Sequence, residues 1–226
     1  MMTRHHLIPR LALAATIVLA VAAYGGDSSP TPLPMNPSAS YLSELAQLNV
    51  RFDHLPQAVA AFEGAIAKAA SPEEKARNAF SLAQVLIRQD AHPAATNALA
   101  VAMSALPDDT QFLCKCQTYL AQSLIRMGKP AAAEQPLRFV SENSKNEWEQ
   151  NHARDQLFSL LVQSGRQDEL VQYVQERSGG DTNSPAVLLQ LAAAYSFQTN
   201  GQEQALSLYR RVLGQNRPTR KLLSVH

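Results

Sequence analysis

The chain has 226 residues, of which 46% are hydrophobic and only 6% are aromatic. This length and composition suffice for a hydrophobic core and exclude a disordered chain. Ala and Leu are abundant, whereas the β-branched and aromatic residues that favour strands are sparse, so the composition predicts an all-helical protein. The formal charge of +1 excludes a general nucleic-acid binder, because such proteins concentrate Lys and Arg well beyond neutrality.

The N-terminal residues form a segment of their own. Arg4 and Arg10 precede an apolar run at residues 11–23, which is typical of a secretory signal and short for a membrane span of about 20 residues. The pattern predicts that residues 1–23 are a cleaved signal and that the chain is exported to the periplasm or cell envelope. The alternative is a retained inner-membrane anchor formed by residues 7–24. Contact with a membrane is expected only in that case.

A linker separates this segment from the rest of the chain. Residues 24–40 are rich in Pro and Ser and contain little that could pack into a core. Such a composition predicts an extended spacer. The folded domain is therefore expected to begin near residue 41.

A short motif then returns along the chain. It reads LAQLNVR from Leu45, LAQVLIR from Leu82 and LAQSLIR from Leu120, and weaker copies begin at Leu157 and Leu191. In each unit, large residues three and four apart lie on both sides of a break, which predicts two helices joined by a turn. Neither helix can bury its apolar face alone, whereas stacked copies can. The repeat therefore predicts about five stacked helix hairpins.

The break between the two helices of a unit is marked by proline or glycine. Pro56, Pro93 and Pro130 recur just before the second helices, where the missing N–H is not needed and the fixed φ favours a first turn. Gly128 and Gly165 follow the first helices, where a residue in the left-handed region commonly ends a helix. These residues predict the positions of the turns.

The units resemble tetratricopeptide repeats. The resemblance lies in a large-small pair, a large residue four positions on, a later Ala with a large residue after it, and a trailing Pro. In the second unit these positions are Leu82, Ala83, Leu86, Ala95, Leu99 and Pro107. The resemblance covers residues 41–218 and leaves residues 219–226 as a C-terminal tail. The spacing exceeds the usual period of about 34 residues, so a generic array of helical hairpins is the structural alternative.

The resemblance implies a fold and a mode of binding. The implied fold is a right-handed α-solenoid of about five antiparallel helix hairpins. In this family the first helices line a concave groove that binds segments of partner proteins. The family's clamp for chaperone tails is not implied, because Lys115 is followed four residues later by Tyr119 instead of Asn.

Polar residues repeat in phase with the core pattern. Three units carry a Gln and, four residues later, an Arg, and such a pair shares one face of a helix. These two polar rows are Gln47, Gln84 and Gln122, and Arg51, Arg88 and Arg126. Arg77 and Lys115 lie on the same first helices. By the resemblance, all eight residues line the groove; the alternative is a solvated helix face.

The two rows also suggest the chemistry of the partner. Gln offers a donor and an acceptor to an extended backbone, and Arg offers a planar fork to carboxylates. The predicted partner is therefore a protein or peptide segment that carries acidic groups or a free C-terminus. The sequence leaves the identity of this partner and the oligomeric state open.

Catalytic chemistry has little support in the sequence. Motifs such as GxSxG, HExxH and GxxxxGK do not occur, and no catalytic residue, cofactor or metal ligand is predicted. Cys114 and Cys116 are expected to pack in the core. Trp148 is expected to cover a junction between repeat units, and the alternative is that it serves as a surface anchor. An alternative of another class is a thiol-dependent enzyme, or an accessory domain of one, that uses the two cysteines.

These observations support one interpretation with one close alternative. The chain is interpreted as an exported scaffold of the tetratricopeptide type that binds a partner segment during assembly or maintenance of the cell envelope. The alternative keeps the fold but anchors it in the membrane, as an accessory subunit of a translocation or assembly complex.

Overall fold

The computed structural model describes residues 36–178 and 183–215, and these residues form ten α-helices and no strands. The helices are α1 (Ala39–Arg51), α2 (Leu55–Lys68), α3 (Pro72–Arg88), α4 (His92–Ala105), α5 (Thr110–Arg126), α6 (Pro130–Asn143), α7 (Glu147–Gln163), α8 (Gln167–Arg177), α9 (Pro185–Ser196) and α10 (Gln202–Gln215). None of them is long and apolar enough to cross a membrane. The predicted signal or anchor, most of the linker and the C-terminal tail lie outside the described residues.

The helices follow one another as five hairpins, and the all-helical prediction is confirmed. The chain divides into two compact units between Ala153 and Arg154. In the first unit, α1 packs on α2, α3 on α4 and α5 on α6, and each hairpin also packs on the next through α2 with α3 and α4 with α5. In the second unit, α9 packs on both α8 and α10. Stacked hairpins of this kind are the arrangement of an α-solenoid.

First and second helices begin in different ways. Side-chain oxygens cap four of the first helices, from Ser38, Ser71, Asp109 and Ser184. For example, the backbone N–H of Glu74 donates to Ser71 Oγ at 3.1 Å, which satisfies an amide that has no partner inside the helix. Three second helices have no side-chain cap and have a proline in their first turn, as the spacing predicts, at Pro56, Pro93 and Pro130. The capped helices α3 and α9 also have a proline in their first turn.

Four of the five turns inside the hairpins, all except the α9–α10 turn, share one backbone conformation. Gly128 and Gly165 have φ values of 69° and 70°, which confirms that they end their helices in the left-handed region. Asp53 and Asp90 occupy the same position of the repeat with φ values of 59°, because Asp tolerates this region better than most residues. In the third hairpin the N–H of Lys129 then donates to the carbonyl five residues back, at 2.9 Å, and the other three turns repeat this bond. The bond reverses the chain tightly enough for antiparallel pairing.

Small residues allow the helices to approach closely. The alanines of the repeat pattern are fully buried in the first unit, at Ala46, Ala58, Ala83, Ala95, Ala121 and Ala133. Larger side chains fill the space beside them, and Phe62 and Leu99 are 2% and 0% exposed. Burying one such side chain contributes about 1.5–3 kcal/mol to folding. The core thus consists of an alanine seam flanked by large apolar residues.

Candidate binding groove

A surface cavity of about 580 Å³ lies along the first helices of the first unit. We call it the groove cavity. Its lining consists of Gln47, Val50, Arg51, Phe62, Ser81, Gln84, Val85, Ile87, Arg88, Tyr119 and Gln122. All of these residues except Phe62 belong to α1, α3 or α5. Its volume falls within the range of about 300–1,000 Å³ that is usual for ligand pockets.

Five of the eight residues predicted for the groove come together here. They are Gln47, Arg51, Gln84, Arg88 and Gln122. Arg77 lines a neighbouring cavity instead, while Lys115 and Arg126 are exposed and line neither cavity. The first helices thus place most of the two polar rows on one surface. Their role in binding stays a prediction.

The neighbouring cavity, of about 530 Å³, lies closer to the N-terminal ends of α1 and α3. It shares Gln47 and Ser81 with the groove cavity, so the two adjoin. Its lining differs in charge, because Glu44 and Glu74 accompany Arg77. A bound segment that followed both cavities would meet opposite charges at its two ends.

An aromatic cluster stands between the two cavities. The Phe80 ring lies 5.3 Å from that of Tyr119 and 5.7 Å from that of Phe112, both in edge-to-face arrangements. Tyr119 lines the groove cavity, and its hydroxyl accepts a 3.1 Å hydrogen bond from the Gln84 side-chain amide. Sequence reasoning missed this cluster. Its only signal was that three of the few aromatic residues lie on the first helices.

The groove cavity is electropositive. Arg51 and Arg88 line it, and no Asp or Glu is among the lining residues in the described part of the chain. Arg88 also contacts Asp53 at 3.1 Å, but these side chains are 50% and 78% exposed. Exposed pairs of this kind contribute only about 0–1 kcal/mol, so a carboxylate that binds both arginines can displace Asp53. The cavity therefore favours an anionic group near its two arginines.

The two cysteines lie in the interior of the first unit. Cys114 and Cys116 are free thiols on α5 and are 0% exposed, which confirms the prediction that they pack in the core. Burial raises the pKa of both thiols, and that of Cys116 reaches about 12. Both are therefore protonated at neutral pH, and a thiol acts as a nucleophile only as its thiolate. The burial and raised pKa of the two thiols therefore give no support to the thiol-dependent alternative.

The prediction for Trp148 is wrong. Its side chain is 70% exposed instead of covering a junction between repeat units. The indole stacks on the His152 ring one helical turn away, with centroids 5.1 Å apart and an angle of 6°. This local contact, which side chains four residues apart on a helix can form, leaves most of the indole in solvent.

Solved structures show which fold this chain has. A crystal structure of MamA protein has a TM-score of 0.54 and 12% identity, and the similarity covers 78% of this chain and 91% of that one. The structure of YrrB, described as a TPR protein with an unusual peptide-binding site, has a TM-score of 0.51 and 17% identity, with coverage of 79% and 87%. A structure of MamA AMB-1 has a TM-score of 0.52 and 20% identity, with coverage of 83% and 98%.

These similarities confirm the tetratricopeptide-repeat fold. No family model matches the sequence, and no curated protein matches it. At identities of 12–20%, the similarity establishes the arrangement of helices and leaves binding to be argued from the residues of this chain.

Proposed function

We propose that this chain is a protein-interaction scaffold that binds an extended, acidic segment of a partner protein in the groove cavity. One observation supports this most strongly. The cavity gathers five of the predicted polar residues, including two arginines, and none of the described residues that line it is acidic. The similarity to YrrB, which is described as having a peptide-binding site, points in the same direction.

The mechanism follows from the side chains of the lining. Gln47 and Gln122 offer amide donors and acceptors to the backbone of the bound segment. Arg51 and Arg88 form bidentate hydrogen bonds with its carboxylates, and such bonds are stronger than those between neutral groups. Because the cavity is carried by packed helices, little ordering entropy is lost when the segment binds.

The test uses synthetic peptides of one length with increasing numbers of glutamates, each with a free or an amidated C-terminus. Fluorescence anisotropy should show that affinity rises with the number of carboxylates and falls at high salt. The double variant Arg51→Glu, Arg88→Glu should lower the affinity for the acidic peptides by about tenfold or more. A tenfold loss corresponds to about 1.4 kcal/mol of binding free energy. Circular dichroism should show unchanged helicity.

Arg126→Glu is the matched control. Arg126 belongs to the same polar row as Arg88 but lines neither cavity, so its reversal should leave affinity nearly unchanged. An equal loss in this variant would mean that overall charge, not the groove cavity, attracts the peptide. Peptides without glutamate that bind as tightly as acidic ones would refute the acidic specificity.

We propose further that the chain is exported to the periplasm or cell envelope and works in assembly or maintenance there. The support is the apolar run at residues 11–23 with Arg4 and Arg10 before it. The rival is an accessory subunit held at the inner membrane by residues 7–24. The intact mass of protein from the envelope separates the two. Loss of residues 1–22 or 1–23 supports export, whereas a full-length mass in the membrane fraction supports the anchored rival.

A further inference from the structure

The first helix exposes an apolar stripe. Tyr41 and Leu48 of α1, and Phe52 just after its C-terminal end, are 37%, 40% and 51% exposed. Their spacing of seven and four residues places them on one side of the helix. We call these three residues the α1 face. A stripe of large apolar side chains on a monomer commonly marks an interaction site.

The equivalent positions in the next two hairpins are buried, and they indicate what could cover the α1 face. Counted from the Leu of the repeat motif, Tyr41 and Leu48 correspond to Asn78 and Val85 in α3, which are 4% and 3% exposed. The corresponding residues of α5, Cys116 and Ser123, are both 0% exposed. In those hairpins the second helix of the preceding unit packs on the first helix, α2 on α3 and α4 on α5. Tyr41 and Leu48 of the α1 face therefore occupy the positions that receive a preceding second helix.

The last described helix, α10, exposes apolar residues on the side that a following hairpin would cover. Tyr209 and Leu213 of α10 are 38% and 68% exposed, and we call them the α10 face. Counted from the buried Ala that recurs in each second helix, Tyr209 corresponds to Phe62 in α2 and Leu99 in α4, which are 2% and 0% exposed. Those second helices are covered by the first helix of the following hairpin. The α10 face therefore has the position that receives a following first helix.

We propose that the α1 face of one copy of this chain packs on the α10 face of a second copy. Each face then receives the kind of helix that its counterparts receive inside the first unit. The net charge of +1 offers little repulsion between copies. Because the two faces differ, the contact is heterologous and leaves one face of each kind open, so association continues beyond a dimer into rings or open chains.

Sedimentation velocity of the full chain over a range of concentrations tests the proposal. The expected result is a sedimentation coefficient that rises with concentration past the value of a dimer. Leu48→Glu blocks the α1 face and Leu213→Glu blocks the α10 face, so each variant alone should be monomeric. An equimolar mixture should form a one-to-one complex, since each variant keeps the face that the other lacks. Trp148→Glu, an apolar-to-acidic change at a residue that is 70% exposed and outside both faces, should associate like the parent.

Other results would overturn the proposal. A parent chain that stays monomeric at all concentrations would show that the two faces are covered within the chain or by a different protein. If Leu213→Glu still dimerises while Leu48→Glu does not, two α1 faces pair with each other. A mixture that gives no complex also contradicts the proposal. If circular dichroism shows that either variant is unfolded, Phe52→Lys and Tyr209→Lys provide the same test at exposed residues of the same faces.

Discussion

Gly128→Ala isolates the backbone requirement of a hairpin turn. Gly128 has a φ of 69°, and a Cβ built on it has no atom within 4 Å, so the substitution introduces no steric clash with neighbouring residues. The left-handed conformation costs an L-residue about 1–2 kcal/mol. The reduced freedom of the unfolded chain returns about 0.4–1 kcal/mol. The expected net loss is therefore about 1 kcal/mol of stability.

Gly214→Ala is the matched control. A Cβ at Gly214 also has no atom within 4 Å, but this residue lies within α10 and has no positive φ. Alanine is favoured over glycine in the middle of a helix by about 0.5–1 kcal/mol. Because Gly214 lies near the end of α10, the gain in stability of this variant should be smaller than that value. The same chemical change thus has opposite signs at the two positions.

Urea denaturation followed by helical circular dichroism measures both effects. The midpoint should fall for Gly128→Ala and rise for Gly214→Ala with the slope unchanged. Gly165→Ala should behave like Gly128→Ala, because Gly165 has a similar φ of 70° and equally open surroundings. Gly165 also lies in the same compact unit as Gly214, so this pair compares the two effects within one unit. A Gly128→Ala protein as stable as the parent would refute the reasoning on the turns.

Three further predictions concern buried residues. Gly201→Ala should destabilise the α9–α10 hairpin strongly, because its Cβ would lie 2.1 Å from the Tyr195 carbonyl oxygen; thermal unfolding compared with Gly214→Ala checks this. Ala95→Trp should cost about 1–3 kcal/mol or more by overpacking, since Ala95 is 0% exposed, and a neutral result in urea denaturation would show that the repeat register is wrong. Because the pKa of Cys116 is raised to about 12, stability should be retained up to the ordinary thiol pKa of about 8.5 and fall as the pH rises further. Cys116→Ala should reduce that dependence in urea denaturation at neutral and alkaline pH.

Sequence patterns located the hairpins because local rules decide where helices start and turn. Pro56, Pro93 and Pro130 lie in first turns as predicted, since proline fits there for reasons that do not depend on tertiary contacts. Asp53 and Asp90 were not predicted to adopt positive φ. Asp is common at many kinds of position, and only the repeat register shared with Gly128 and Gly165 distinguishes these two.

The lining of the cavities was only partly predictable. The helical period places Arg126 in the same row as Arg51 and Arg88, yet Arg51 and Arg88 line the groove cavity and Arg126 does not. Which residues reach a cavity depends on how neighbouring helices pack around it, and the period of one helix does not contain this information. The exposure of Trp148 was missed for a similar reason, because a large aromatic residue is usually expected in a core or an interface.

The most direct test of the central claim, that a partner binds in the groove cavity, is site-specific photo-crosslinking in the cells that produce the protein. A benzophenone amino acid placed at Gln122, which lines the cavity, should form a covalent product with a partner protein. The same amino acid placed at Gln135, an exposed residue on the second helix of the same hairpin, should not. A partner that crosslinks to position 135 and not to position 122 would contradict the assignment of this cavity as the binding site.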